Sequence, residues 1–285
     1  MVSALRALKA AGALDAMRIH IVLTGDEENP GEPIAVSRKD LIDAAPQSDV
    51  ALEFEPGIRL NGKDYGSTSR RGATEWVLRT RGVSGHSGQV GSAAMGDGAA
   101  KELIRILSLF ASELPEKYLT YNVGLMVAGA SAQLNDTQTA GSAAGKLNII
   151  AGEAYAIGDL RTISEEQAER AEAKMRTIVS KHLPKTQAEI TIRSMTPPMA
   201  PERNRGLLAL LNGINRDMGL PLMEELDPMR RGAGDISFVA KNLDSLTGFG
   251  SIGEGAHAPG EWVDLTSLPL QAKRCALMLL RLGSH

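Results

Sequence analysis

Two adjacent carboxylates, Glu27 and Glu28, stand in the run Leu23-Thr24-Gly25-Asp26-Glu27-Glu28-Asn29-Pro30, directly after the β-branched apolar stretch Met17-Arg18-Ile19-His20-Ile21-Val22-Leu23. Neighbouring carboxylates repel each other unless something positive lies between them. A metal ion could take one as a ligand and leave the other free as a general base. A second acid, Glu55, ends the run Asp49-Val50-Ala51-Leu52-Glu53-Phe54-Glu55-Pro56. Glu53 shares its strand face under a period of two, and Glu55 is preferred as a ligand because it lies nearer the edge. His257 sits in the Gly-rich segment Gly253-Glu254-Gly255-Ala256-His257. The one cysteine, Cys275, lies in apolar surroundings and excludes an intrachain disulfide or a thiolate zinc site, so metal ligands would be His and carboxylate.

Other polar groups are placed to bind or to stay structural. His86 lies in Gly82-Val83-Ser84-Gly85-His86-Ser87-Gly88, where small neighbours permit close approach by a ligand or another chain, or simply a flexible loop. Asn148 and Arg161 bracket one predicted strand, and Arg161 follows Asp159, with which it could pair. Gly232-Ala233-Gly234-Asp235 reads as a tight loop opening a helix over residues 236–241. His20 and His182 sit inside predicted elements and His285 at the end of the chain, all three structural or exposed. Residues 250–255 lack the spacing and context of a dinucleotide loop, and residues 141–146 are too short for a phosphate loop, with Leu147 where a magnesium-holding Ser or Thr would stand.

These residues need a scaffold, and the apolar periodicity predicts an α/β one. Residues 17–23 and 49–56 read as strands of a parallel sheet, both delivering acids to the edge where open α/β sheets hold their ligands. A helix opens the chain, with Val2, Leu5, Leu8 and Ala11 at helical spacing, and Ser37 caps a short helix ended by Pro46. A polar stretch over 61–72 marks a crossing into a second body. There the order is strand 74–83, helix 97–114, strand 118–127, strand 147–160, helix 164–182 with a Ser164/Gln167 capping box, and strand 188–192. That β-α-β-β-α-β order predicts a ferredoxin-like insert. Residues 135–146 read as a polar, mobile loop. The α/β texture returns with a helix over 204–218, a short strand over 246–249 and a closing helix over 264–282. The expected division is therefore 1–71, 72–194 and 195–285, with the middle piece inserted.

Composition excludes several roles. Aromatics make up 4% of the 285 residues, too few for nucleic-acid stacking platforms, and 31 basic against 34 acidic residues give a net charge of −3 without blocks of either sign. No apolar run reaches the ~20 residues of a membrane span, and no signal peptide opens the sequence. Neither nucleic acid nor membrane is an expected partner. The compartment stays open between cytoplasm and, were a preceding segment to carry a signal, periplasm or exterior.

Thr24-Gly25-Asp26-Glu27-Glu28, Phe54-Glu55-Pro56, Gly82 to Gly88, Asn148, Gly158-Asp159-Leu160-Arg161, Gly232 to Asp235 and Gly255-Ala256-His257 occur in an order that resembles the dizinc metallohydrolases: aminoacylases, glutamate carboxypeptidases and succinyl-diaminopimelate desuccinylases. The resemblance implies a zinc-exopeptidase-like α/β catalytic domain with a ferredoxin-like lid that also forms a homodimer. It implies hydrolysis of an amide or peptide bond in a small N-acyl amino acid or peptide. Glu27 would be the general base, Glu28 and His257 ligands of one zinc and Glu55 a ligand of the other, with other divalent metals possible. His86 would polarise the scissile carbonyl in a partner's site, Asn148 and Arg161 would hold the substrate carboxylate or oxyanion, and the loop around Gly234 would line the pocket. The family also requires a His-x-Asp motif and a metal-bridging Asp ahead of the opening helix, and this sequence holds neither. The expectation is an N-terminally incomplete member, the alternative a non-catalytic remnant that keeps lid-mediated dimerisation.

Overall fold

A computed structural model describes residues 1–15, 17–28 and 31–283 and divides the chain into two compact units, one formed by Met1–Arg71 with Thr196–His285 and the other by Gly72–Met195. The first stretch runs α1 (Val2–Ala10), α2 (Ile34–Ser37), α3 (Lys39–Ala44), β1 (Val50–Glu53), β2 (Ile58–Leu60) and β3 (Lys63–Gly66). The second unit runs β4 (Gly72–Gly82), α4 (Ala99–Glu113), β5 (Thr120–Gly129), β6 (Ser131–Leu134), β7 (Gly141–Ala144), β8 (Glu153–Thr162), α5 (Glu165–Val179) and β9 (Thr186–Thr196). The chain then returns with α6 (Arg205–Asp217), β10 (Glu224–Glu225), β11 (Asp244–Thr247), β12 (Ile252–Glu254), β13 (Trp262–Asp264) and α7 (Ser267–Leu282).

In the first unit β1 pairs in parallel with β11, Val50 opposite Asp244 and Glu53 opposite Thr247. The helices α1, α6 and α7 bury Ala4, Leu207, Leu211, Ile214 and Met278 with Leu246 and Phe249. Cys275 lies in this core, and burial pushes its thiol up, as expected of an inert apolar thiol. Arg70 and Met199 exchange backbone hydrogen bonds in both directions, at 3.0 and 2.9 Å. That pair joins the two points where the chain leaves this unit and comes back.

The second unit has the order β5-β8-β4-β9, the ferredoxin-like arrangement, with β8 antiparallel to both β4 and β5. Leu103, Ile106 and Phe110 recur at helical spacing on α4, and Ala171, Met175 and Ile178 on α5. Both faces close over Trp76 and Leu78, giving one core. Gly158 is required there: a Cβ would meet the Asn122 carbonyl at 1.9 Å and the Trp76 ring at 2.4 Å. At α5 the Ser164 hydroxyl accepts from the Gln167 amide at 3.2 Å, while the Gln167 side chain accepts from the Ile163 amide at 3.0 Å, a capping box displaced by one residue.

Three local expectations are corrected. Residues 17–24 form no regular element and join no ladder among the described residues, and Ile21 and Leu23 are exposed. An apolar β-branched run has the composition of a buried strand, yet a strand exists only where a neighbour supplies hydrogen bonds. Residues 135–146 are not simply a loop, because β6 and β7 form a hairpin there. The predicted helix after Gly234 is a single 3-10 turn over Asp235–Phe238.

Candidate active site

The segment carrying Glu27 and Glu28 is fixed by an arginine rather than by a sheet. Arg38, between α2 and α3, is 1% exposed. Its Nη1 donates to the Gly25 carbonyl at 3.0 Å and its Nη2 to the Asp26 carbonyl at 3.1 Å. Its Nε makes an ion pair with Asp235 Oδ1 at 2.8 Å. Asp26 lies in the left-handed region with φ 51°, which turns the chain just before the paired acids. Asn29 and Pro30, the end of the predicted motif, lie outside the described residues.

The two acids of the next strand have different fates. Glu53, at the end of β1, accepts from Arg70 Nη1 at 2.5 Å, from the Ile236 amide at 2.9 Å and from the Thr247 hydroxyl. Its oxygens are committed to holding β1, β11 and the Gly-rich loop together. Glu55 is partly buried and stands 3.7 Å from Arg70 Nη2 and 4.0 Å from Arg231 Nη2, ion pairs longer than a hydrogen bond. Arg70 also donates to the carbonyls of Gly232 at 2.9 Å and Ala233 at 2.5 Å. Gly234 must be glycine here, because a Cβ would come within 2.1 Å of the Arg70 guanidinium. Arg231 donates to the Pro56 carbonyl at 2.9 Å, and burial, then the neighbouring Arg70 charge, bring its pKa down to about 10.

Glu27 is where these charges converge. Partial burial first, then the negative charges of Glu55, Glu28 and Asp235, raise its pKa above the ordinary carboxylate value, with Arg70 opposing. A carboxylate held this way is a better proton acceptor near neutrality. His257, in the left-handed region at φ 64° between β12 and β13, brings Nε2 to 3.4 Å from Glu28 Oε1. Both side chains are open, 71% and 74% exposed. Two ligands of one tetrahedral zinc stand ~3.3–3.6 Å apart, so this pair has the spacing to share an ion. Among the described residues, however, no group of three or more His, Cys, Asp or Glu side chains is gathered closely enough to hold a metal. The residues present fit half of one coordination sphere and not a closed one.

In the second unit His86 and Asn148 are brought together. An antiparallel bridge joins His86 to Ile149, the Ser87 amide donates to the Asn148 carbonyl at 3.0 Å, and the Ile150 amide donates to the Gly85 carbonyl at 2.8 Å. The Gly88 amide donates to His86 Nδ1 at 3.1 Å. In the neutral imidazole this leaves the proton on Nε2, which faces outward as a donor. Arg161 lies on β8 opposite Ala73 and Thr120 and pairs with Asp159 at 2.7 Å, the plain structural contact its sequence position allowed.

Sequence reasoning missed Arg38, Arg70 and Arg231 as parts of the site, and took Asp235 only as the end of a pocket-lining loop. Arg38 stood in what read as a helix start and Arg70 in a polar crossing. Their partners lie far along the chain, 197 residues for Arg38 with Asp235 and 162 for Arg70 with Gly232, so only the fold brings them together.

Comparison with known proteins places these observations. Residues 68–187 match the peptidase dimerisation domain family. No curated protein matches the chain. Among solved structures, aminopeptidase PepT from Bacillus cereus aligns at a TM-score of 0.70 and 15% identity over 99% of this chain and 68% of its own. The YxeP protein of Bacillus subtilis, described as a dinuclear metal-binding peptidase of the M20 family, gives 0.63 and 15% over 99% and 70%. A tripeptidase from Staphylococcus aureus gives 0.60 and 15% over 87% and 63%. At that identity the likeness is one of fold. Residues 68–187 match a peptidase dimerisation domain, the chain as a whole shares the fold of these three structures, and it spans about two-thirds of their length.

Proposed function

We propose that this chain acts in metal-dependent hydrolysis of an amide or peptide bond in a small N-acyl amino acid or peptide, with Glu27 as the general base. The observation that carries the reading is the setting of Glu27, partly buried and crowded by Glu55, Glu28 and Asp235, which together raise its proton affinity. A pair of divalent ions, zinc above all, would supply polarised water when bound, with Glu28 and His257 the residues of this chain to hold one and Glu55 the residue to hold the other. Glu27 would take the proton released as the nucleophile adds to the carbonyl and return it to the leaving nitrogen. His86, with its proton on Nε2, would donate to the developing oxyanion in a partner's site, and Asn148 and Arg161 would hold the substrate's carboxylate or the oxyanion, Arg161 first parting from Asp159. The backbone around Gly234 would line the pocket, and the dimerisation unit would make the chain a homodimer.

The incomplete ligand set supports a second reading, a catalytically silent chain that keeps dimerisation. Metal analysis and sedimentation of the purified protein, with an assay on N-acyl amino acids and dipeptides, separate the two. Bound zinc, with turnover that Glu27→Gln abolishes, supports the hydrolase. A metal-free, inactive dimer supports the second reading.

A further inference from the structure

The paired acids pose a positioning problem. Residues 17–24 join no ladder among the described residues, and no backbone hydrogen bond is found from the amides of Gly25 to Glu28 among them. Something else must set where the carboxylates point. The buried Arg38 touches both sides of the turn that precedes them, through the carbonyls of Gly25 and Asp26, and grips the loop that follows Gly234 through Asp235. Its Nη1 also reaches the carbonyl of Ser37 at 3.3 Å, which ties the fork to its own backbone. The three nitrogens of one planar guanidinium thereby serve acceptors from three places in the chain. An ammonium on a flexible stem is a point charge and cannot span them.

We propose that Arg38 is a positioning residue: it holds the Gly25–Asp26 turn against Asp235 and so fixes the directions of Glu27 and Glu28. Its catalytic consequence rests on the hydrolase reading above, while its structural consequence does not. Asp26 is the pivot, since a non-glycine residue at positive φ persists only where its surroundings over-determine it. The guanidinium accounts for both peptides that flank that pivot. Removing it frees the turn to relax to ordinary backbone angles, and the acids then leave the neighbourhood of Asp235.

The test uses the full-length chain as Arg38→Lys, Arg38→Ala and Asp235→Asn, with circular dichroism and melting as fold controls. A glutamate-specific endoprotease reads the turn without any metal. Cleavage after Glu27 and Glu28 is expected to accelerate at least tenfold in both Arg38 variants and severalfold in Asp235→Asn. Cuts at exposed glutamates elsewhere should be unchanged, and millimolar ethylguanidinium should slow the excess cleavage of Arg38→Ala. In turnover, kcat should fall at least tenfold in Arg38→Lys with KM within about twofold, measured well below the melting temperature of the variant so that loss of folded enzyme is not the cause. Should Arg38→Ala fail to fold, Arg38→Lys and Asp235→Asn carry the same proteolytic test. Cleavage of the folded variants at the wild-type rate overturns the proposal. A wild-type chain without turnover defeats the hydrolase reading alone, and the proteolysis still decides the role of Arg38.

Discussion

The inserted unit and the unit that hosts it solve the same problem in opposite ways. In the insert every long strand belongs to one four-stranded sheet, and its fully buried acid, Glu102, takes its cation from the next turn of its own helix: Arg105 binds both oxygens at 2.7 and 3.0 Å, and the Leu183 amide, 81 residues on, adds a third bond at 3.1 Å. In the host unit the parallel sheet has two strands, the apolar segment over residues 17–24 lies outside any ladder among the described residues, and long-range guanidinium forks from Arg38, Arg70 and Arg231 hold the backbone. The insert is organised by hydrogen-bonded ladders and a closed apolar core. The host's functional edge is organised by charge. A ladder tolerates a change in any one side chain that still packs, whereas an arginine fork fails when a single residue changes.

That contrast can be broken at several places. The largest effect should be in the insert's core, where Trp76 stacks on Tyr121 at 5.6 Å and meets Phe110 edge-on at 6.1 Å. Trp76→Ala should cost about 3–5 kcal/mol in urea unfolding. A loss below about 1 kcal/mol would show that the apolar core is not what closes this unit. Next comes Arg70→Met, which leaves Glu53 without its cation and strips the Gly232 and Ala233 carbonyls of their donor. A loss of about 3 kcal/mol is expected, and a neutral result would remove the argument that charge organises the host.

The third effect is smaller and depends on pH. Because the folded state raises the Glu27 pKa above its ordinary value of 4.5, Glu27 opposes folding once it must ionise. Its contribution is intact below the unfolded pKa and is lost as pH rises through the folded one. Glu27→Gln should therefore melt with wild type at about pH 4 and above it near neutrality, while losing turnover. A melting advantage that fails to grow with pH would show that Glu27 is not crowded. The smallest effect should be His257→Ala, whose exposed contact with Glu28 is worth under about 1 kcal/mol. Its signature should instead be weakened zinc binding in calorimetry.

The fold class was legible because α4, α5, α6 and α7 repeat apolar residues at helical spacing, and because the strand-helix order of the insert admits few topologies. The hairpin of β6 and β7 was not, since Ser131-Ala132-Gln133-Leu134 alternates polar and apolar residues over only four positions and Gly141-Ser142-Ala143-Ala144 is small throughout and exposed. Residues 17–23 misled for the converse reason: the pattern specified an apolar extended segment, but pattern alone does not supply a neighbour. In the candidate site, the acids could be singled out because carboxylates after an apolar run are unusual. The arginines that aim them could not, because an arginine in a polar stretch looks the same whether it is solvated or buried against an acid far along the chain.

The reciprocal bond between Arg70 and Met199 has a consequence for how such a chain can be cut and rejoined. Residues facing each other in an antiparallel pair that exchanges hydrogen bonds lie ~5.5 Å apart at Cα, so the host is nearly continuous across the excursion. A few glycine and serine residues could replace everything from Gly72 to Met195 without stretching either end. The chain path of the host is thus closed on itself at Arg70 and Met199, a join at which a whole inserted piece can be exchanged without rerouting the host backbone.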